Sequence, residues 1–346
     1  MTRRRAATGG RRRSTGRDDD TGGTRMGGDP RFGVVTIGET MAALRGDGPL
    51  RLGGPLTLSM AGAETNVAIG LARLGHRVRW AGVVGADELG ELVLRTLRAE
   101  GVDVGTVRSD PTAPTGLLLQ EHRVAHVTRV HYYRAGSAGS ALRADDADAA
   151  VPCDEPARIL HVTGITPALG PDPRLTVERA VRRAREAGTR VCLDVNYRSR
   201  LWSPDLAARV LGELLPCVDV LIASEDELPL VAGGETDEEQ AAAQLLEIGI
   251  GEVVVKHGGA GARAWSAAGP VRMPARVVPV SGTVGAGDAF TAGYLSAALD
   301  DLPVEDRLDR AVTVGAFAVA AAGDWEGLPT RDELPLLSAP DGSTIR

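Results

Sequence analysis

The sequence predicts an α/β fold, with a mainly parallel, twisted sheet, helices on both faces and a small β lid. Three features of the chain lead there. β-Branched runs alternate with helix-period segments along most of its length, the rhythm of strand, crossover helix and parallel strand. Two stretches break that rhythm with short strand-like segments and no helix between them. The chain has 346 residues with 43% apolar content, enough to bury a large core.

Residues 1–30 stand outside the pattern. Arg3, Arg4, Arg5, Arg11, Arg12, Arg13 and Arg17 lie among Gly, Thr and Asp with almost nothing apolar to bury, so this Arg-rich extension is expected to be disordered. Met26 offers an alternative start within it. The strand FGVVTIGE opens the domain expected over 31–335, followed by the helix AETNVAIGLARLG, the strand RVRWAGVVG and the helix DELGELVLRTLRAEG. Alternation resumes with ARILHVTGI, TVERAVRRAREAG, VCLDVNYR, DLAARVLGELL, VDVLIAS, EEQAAAQLLEIG and EVVVKHG. The interruptions, about 40–60 and 114–135, read as hairpins. An α/β sheet binds ligand beyond the carboxyl ends of its strands, so hairpins inserted there would form a lid over the site. Residues 336–346 form a C-terminal tail.

The formal net charge is −7 and the isoelectric point about 5.5, a field that repels nucleic acid and anionic membranes. Cys153, Cys192 and Cys217 lack the paired spacing of a zinc or redox site. No apolar run reaches the roughly 18 residues that would span a bilayer. A cytoplasmic protein acting on small molecules is the expectation.

Gly282-Thr283-Val284-Gly285-Ala286-Gly287-Asp288 precedes the apolar run AFTAGYLSAALD, which places the glycines at the mouth of a helix. Amides and the helix dipole favour phosphate there, and glycines let the backbone approach closely. Asp288, in the first turn, is a candidate base for an attacking hydroxyl. An ordinary helix-start aspartate after a glycine turn explains the same residues. Neither G-x-x-x-x-G-K-[ST] nor a strand-linked G-x-G-x-x-G occurs, so phosphate would be handled in another way.

Two segments make a resemblance specific. AGAETNVAIGLARLG at 61–75 and GTVGAGDAFTAGYL at 282–295 resemble the two signature motifs of the ribokinase-type (phosphofructokinase B-type) carbohydrate kinases. Between them, PTGLLLQE, YYRAGSAGSAL, LHVTGITPALG, DVNYRSRLW, SEDE and VVVKHGGAGA resemble the 2-keto-3-deoxygluconate kinase branch. The resemblance runs from about Phe32 to about Pro329. It implies a ribokinase-like three-layer core and ATP-dependent phosphorylation of a sugar acid, with Mg²⁺ as cofactor. Asp288 would be the catalytic base, with Gly285, Ala286 and Gly287 as the anion hole.

By the same resemblance, Gly62, Asn66, Tyr132, Arg134, Ile165, Arg198 and Asp324 would contact the sugar acid. A guanidinium such as that of Arg134 suits a carboxylate. Asn196, Arg198, Ser224, Lys256, Gly258, Gly261, Gly285 and Gly287 would serve ATP, and Glu227 would act on the metal indirectly. Lys256 is the chain's only lysine. A neutral-sugar kinase such as a fructokinase, and a sugar-sensing protein without catalysis, are the alternatives. A homo-oligomer is expected through exposed lid edges.

Overall fold

The computed structural model describes residues 32–124 and 127–339, with the backbone alone at 122–124 and 127. The extension expected over 1–30 lies outside the described residues, as does the tail from 340 onward.

In chain order the first strands are β1 (Val34–Ile37), β2 (Met41–Gly46), β3 (Thr57–Ala61), β4 (Val78–Ala81), β5 (Val83–Gly85), β6 (Arg108–Asp110) and β7 (Leu117–Val124). They are followed by β8 (Val127–Tyr133), β9 (Ile159–Thr163), β10 (Arg190–Asp194), β11 (Val220–Ser224), β12 (Glu252–Lys256), β13 (Ala262–Ser266) and β14 (Gly269–Met273). The helices are α1 (Ala63–Arg73), α2 (Glu88–Ala99), α3 (Ala144–Ala150), α4 (Pro171–Glu186), α5 (Pro204–Leu214), α6 (Leu228–Val231), α7 (Glu238–Glu247), α8 (Ala286–Leu299) and α9 (Val304–Ala320). A 3-10 helix, Arg331–Ser338, runs across position 335.

The main sheet has the order β14-β13-β12-β11-β10-β9-β1-β4. From β12 to β4 neighbouring strands are parallel, while β13 and β14 add an antiparallel edge. Its strands read as apolar runs because both faces are covered. On β12, Val253 and Val255 enter one apolar cluster while Val254 enters the other, the period-two alternation of a strand. Each such fully buried aliphatic side chain contributes roughly 1.5–3 kcal/mol.

The run RVRWAGVVG differs from its expected single strand. It breaks at Gly82, and β5 leaves the main sheet to pair with β6. A side chain at Gly82 would come within 2.2 Å of the Trp80 ring, so the indole folds back where only glycine leaves room.

The two hairpins form one four-stranded sheet, β3-β2-β7-β8. Each is antiparallel internally, and β2 pairs with β7 in parallel to join them. One helix contact also fixes the site. A Cβ on Gly70 of α1 would lie 2.7 Å from Ala292 of α8, so these small residues let the two helices pack closely.

Candidate active site

Gly285 caps α8 with φ +75°, a left-handed conformation that glycine adopts freely. A Cβ there would also sit 2.1 Å from the Asp324 carbonyl oxygen. The Ala289 N–H makes a helical bond to the Gly285 carbonyl at 2.8 Å, and no side chain caps this end of the helix. Amides of the first turn, which have no intrahelical partners, therefore gather around Gly285, Ala286 and Gly287.

Asp288 follows in that first turn and is buried. Its Oδ2 accepts from Asn66 Nδ2 at 2.8 Å and its Oδ1 from Asn196 Nδ2 at 3.3 Å. Asn66 stands in the first turns of α1, brought over by the close α1–α8 contact. Asn196 follows β10 with φ +38°, a region that asparagine tolerates better than most residues. Burial pushes the Asp288 carboxyl up to about 7; the Asn66 hydrogen bond opposes this, Asp194 adds to it, and Arg198 and Lys256 pull it down.

Lys256, at the end of β12, donates to both carboxylate oxygens of buried Asp194, at 3.0 and 2.9 Å, and Thr291 donates to the same carboxylate at 2.8 Å. Burial depresses the Lys256 ammonium, but Asp194, with Glu227 and Asp288, together outweigh it and hold the group above its ordinary value. The ammonium lies 3.6 Å from where a Cβ on Gly287 would sit, which puts a fixed positive charge against the glycine turn.

A cavity of about 790 Å³ lies between the lid and the carboxyl edge of the sheet. Gly62, Asn66, Tyr132, Arg134, Ile165, Arg198 and Asp324, the expected substrate residues, all line it together with Gly285 and Asp288. Tyr132 and Leu118 face each other across β7 and β8. Gly62 precedes α1 in a slot where a Cβ would come within 2.9 Å of Thr65, the Glu39 carbonyl and Thr40. Asp324 reaches Arg45 and Gln120, both at 3.4 Å, and burial raises its carboxyl. Arg134 pairs with Glu39.

The other expected nucleotide-side residues do not line this cavity. Ser224 and Glu227 form a local turn: Glu227 accepts from the Tyr197 and Ser224 amides at 2.7 and 2.9 Å, and Ser224 Oγ donates to Asp226 at 2.6 Å. Gly258 begins a short 3-10 turn after β12. Gly261 has φ +101° and packs so tightly that a Cβ would meet the Met273 carbonyl at 2.1 Å.

Three buried acids absent from the expected set belong to the site. Asp194 supports Lys256, and Glu39 holds Arg134. Glu64, in the first turn of α1, accepts from Thr163 and Thr166 at 2.7 and 2.8 Å and ties the Ile165 loop to the cavity wall. Asp194 lies inside DVNYR and ends β10, and Glu39 closes FGVVTIGE just after β1; both sit at the carboxyl edge, a positional signal for function.

A buried carboxyl at an amide-rich helix end, facing a lidded cavity and backed by a fixed ammonium, has the makings of a phosphoryl-transfer centre. The chain belongs to the pfkB family of carbohydrate kinases, whose family model matches residues 32–331. It is 39% identical over 312 residues to a 2-dehydro-3-deoxygluconokinase of Bacillus subtilis, covering 88% of this chain and 94% of that protein. A 2-dehydro-3-deoxygalactonokinase of Haloferax volcanii is 33% identical over 304 residues, 87% of this chain and 95% of its own. Among solved structures, a PfkB protein from Polaromonas sp. JS666 superposes with a TM-score of 0.78 at 37% identity, covering 88% of this chain and 99% of that one.

Proposed function

We propose that this carbohydrate kinase transfers the γ-phosphoryl group of ATP to the terminal hydroxyl of a sugar acid, 2-keto-3-deoxygluconate (the 2-dehydro-3-deoxy acid), giving its 6-phosphate. The observation that carries this reading is that Asp288 and Arg134 line one cavity, with Asp288 at the amide-bearing end of α8. Glu64, Asp288 and Asp324 all have raised carboxyl pKa values through burial, while Arg129, Arg134, Arg198 and Arg200 also line the cavity. Arginine keeps its charge throughout. Glu39 lines the cavity too and pairs with Arg134; the arginines still outnumber it, and that excess favours an anionic sugar.

In the reaction, the sugar hydroxyl oxygen bonds to the γ-phosphorus as the bond from phosphorus to the β–γ bridging oxygen breaks, and ADP leaves. Asp288 takes the hydroxyl proton, while Asn66 and Asn196 hold its carboxylate in place. Amides from Gly285 to Asp288, with Lys256 beside Gly287, stabilise charge on the transferred group. Arg134 and Tyr132 hold the acid end beneath the lid, and Gly62, Ile165, Arg198 and Asp324 complete its pocket. Ser224, Gly258 and Gly261 shape the nucleotide side.

Among the described residues no group of three acidic, His or Cys side chains could cage a metal, which suits Mg²⁺ held mainly by ATP phosphates and water. Glu227, with its oxygens on backbone amides, would touch such an ion only through water. Mg²⁺ would neutralise charge on the phosphates. No described helix is long and apolar enough to cross a membrane; we place the enzyme in the cytoplasm and expect a homo-oligomer through the edge strands β3 and β8.

A coupled ADP-release screen with 2-keto-3-deoxygluconate, its galactose epimer, fructose and ribose tests the assignment. Turnover of either sugar acid at least tenfold above fructose is expected. Preference for fructose would overturn the sugar-acid reading, and no ADP release with any sugar would favour a sensor.

A further inference from the structure

We infer that Glu39 is a positioning residue for substrate recognition, fixing the Arg134 guanidinium so that it is already aimed when the sugar acid arrives. The inference rests on Arg134 meeting the substrate carboxylate, as proposed above. Glu39 follows β1, and its carboxylate is fully enclosed although the residue borders the cavity. Arg134 Nη2 pairs with its Oε2, and Ser137 Oγ donates to its Oε1. Glycines make the slot that admits it. A Cβ at Gly139 would lie 2.2 Å from Glu39 Cγ, and one at Gly116 would lie 2.8 Å from Oε1. No side chain larger than hydrogen fits at either place without moving Glu39.

Arg134 comes directly after β8, at the end of the lid, whereas Glu39 belongs to the core. An arginine there without a fixed partner would sample many rotamers and lose that freedom on binding. Glu39 removes most of it beforehand. It does so from one side: the Nε–H of Arg134 is buried with no protein partner among the described residues. A buried donor left unmatched is costly, and the rest of the side chain keeps some exposure where it lines the cavity, the place at which a carboxylate would meet it. The Tyr132 ring lies 5.8 Å from the guanidinium carbon and bounds the same place.

The test is steady-state kinetics on Glu39→Ala, Glu39→Gln, Arg134→Leu and the Glu39→Ala/Arg134→Leu double variant, varying 2-keto-3-deoxygluconate and ATP separately. Glu39→Ala should raise KM for the sugar acid roughly tenfold while KM for ATP moves less than twofold. Glu39→Gln keeps an acceptor for Arg134 at the same size, so it should recover part of that loss, and it is the variant to rely on if Glu39→Ala does not fold. With Arg134 already leucine, removing Glu39 should add less than twofold. Equal rises in both KM values, or a full extra tenfold in the Arg134→Leu background, would mean that Glu39 supports the fold only, overturning the inference. If Arg134→Leu raises KM for the acid and neither Glu39 variant does, the inference alone fails. If Arg134→Leu leaves that KM unchanged, the carboxylate role of Arg134 fails first and takes the inference with it.

Discussion

Replacing Asp288 with asparagine should separate catalysis from stability, because one burial cost underlies both. Burial raises the carboxyl from 3.8 to about 7. Below 3.8 both folded and unfolded chains carry it protonated, and it costs nothing. Between about pH 4 and pH 7 the unfolded chain ionises it while the folded chain keeps the proton, so stability falls by about 1.4 kcal/mol per pH unit. Above 7 both states are ionised and the loss levels off at ~4 kcal/mol. Asparagine has nearly the same shape, and Asn66 can still donate to it, but it carries no charge at any of these pH values. The thermal stability of Asp288→Asn relative to the parent should therefore rise steadily from pH 5 to pH 7 and then stay flat. In the coupled ADP assay the same variant should lose at least 10²-fold in kcat, the lower end of what a general base supplies, and the parent's kcat/KM should climb through pH 7 as Asp288 deprotonates. A stability difference independent of pH between 5 and 8 would refute the burial argument. More than a tenth of parental turnover in the variant would refute the assignment of the base.

The remaining predictions concern the supports around that carboxyl. Lys256→Met should destabilise the fold by roughly 3–5 kcal/mol, because it leaves buried Asp194 without its cation; urea unfolding measures this, and a loss under 1 kcal/mol would count against the pair. Gly285→Ala should lower kcat at least 10²-fold and reduce stability, since a Cβ would collide with the Asp324 carbonyl at 2.1 Å; an active, stable variant would place the glycine turn elsewhere. Glu326 joins Arg45 at 2.5 Å, Ser59 at 2.7 Å and the Asp324 amide at 2.9 Å, binding the lid to the loop behind the glycine turn. Glu326→Gln should cost about 1–2 kcal/mol and raise KM for the sugar more than KM for ATP, and equal effects on the two substrates would argue against a lid anchor.

The parallel strands and most helices were legible because the main sheet is covered on both faces, so those strands are written as short apolar runs with helix-period segments between them, whereas the antiparallel edge β13–β14 and helix α9 were not read. The split of RVRWAGVVG was not, since a backfolded Trp80 over Gly82 is a tertiary contact with no periodic trace. At the site, a glycine turn with an acid in the first turn of a helix was readable from local chemistry, but an ordinary helix start fits the same residues, and the reading of Asp288 as the base came through the resemblance. The cavity residues from the lid were reached through resemblance, because nothing in an amphipathic strand distinguishes Tyr132 and Arg134 from a solvated edge. Asp194, Glu39 and Glu64 escaped for a different reason. Each acts on another side chain, and its partner is distant in sequence: Asp194 is 62 residues from Lys256, and Glu64 is 99 residues from Thr163.

Those three acids share a property that bears on how the site works. All lie at the carboxyl edge and are buried, and each holds a group that touches the cavity or the glycine turn. A buried carboxylate is expensive unless it is matched, so each constrains its partner strongly: Asp194 fixes Lys256, Glu39 fixes Arg134, and Glu64 fixes the threonines flanking Ile165. The lid adds its own match where Arg45 meets Asp324 and Glu326. The charged groups that would meet ATP and a sugar acid are therefore oriented before either arrives, and little reorganisation is left for the binding step or for the transfer itself. On this account, replacing any one of the three acids with alanine should weaken the ligand on its own side of the site much more than the other, a selectivity that a general loss of stability would not produce.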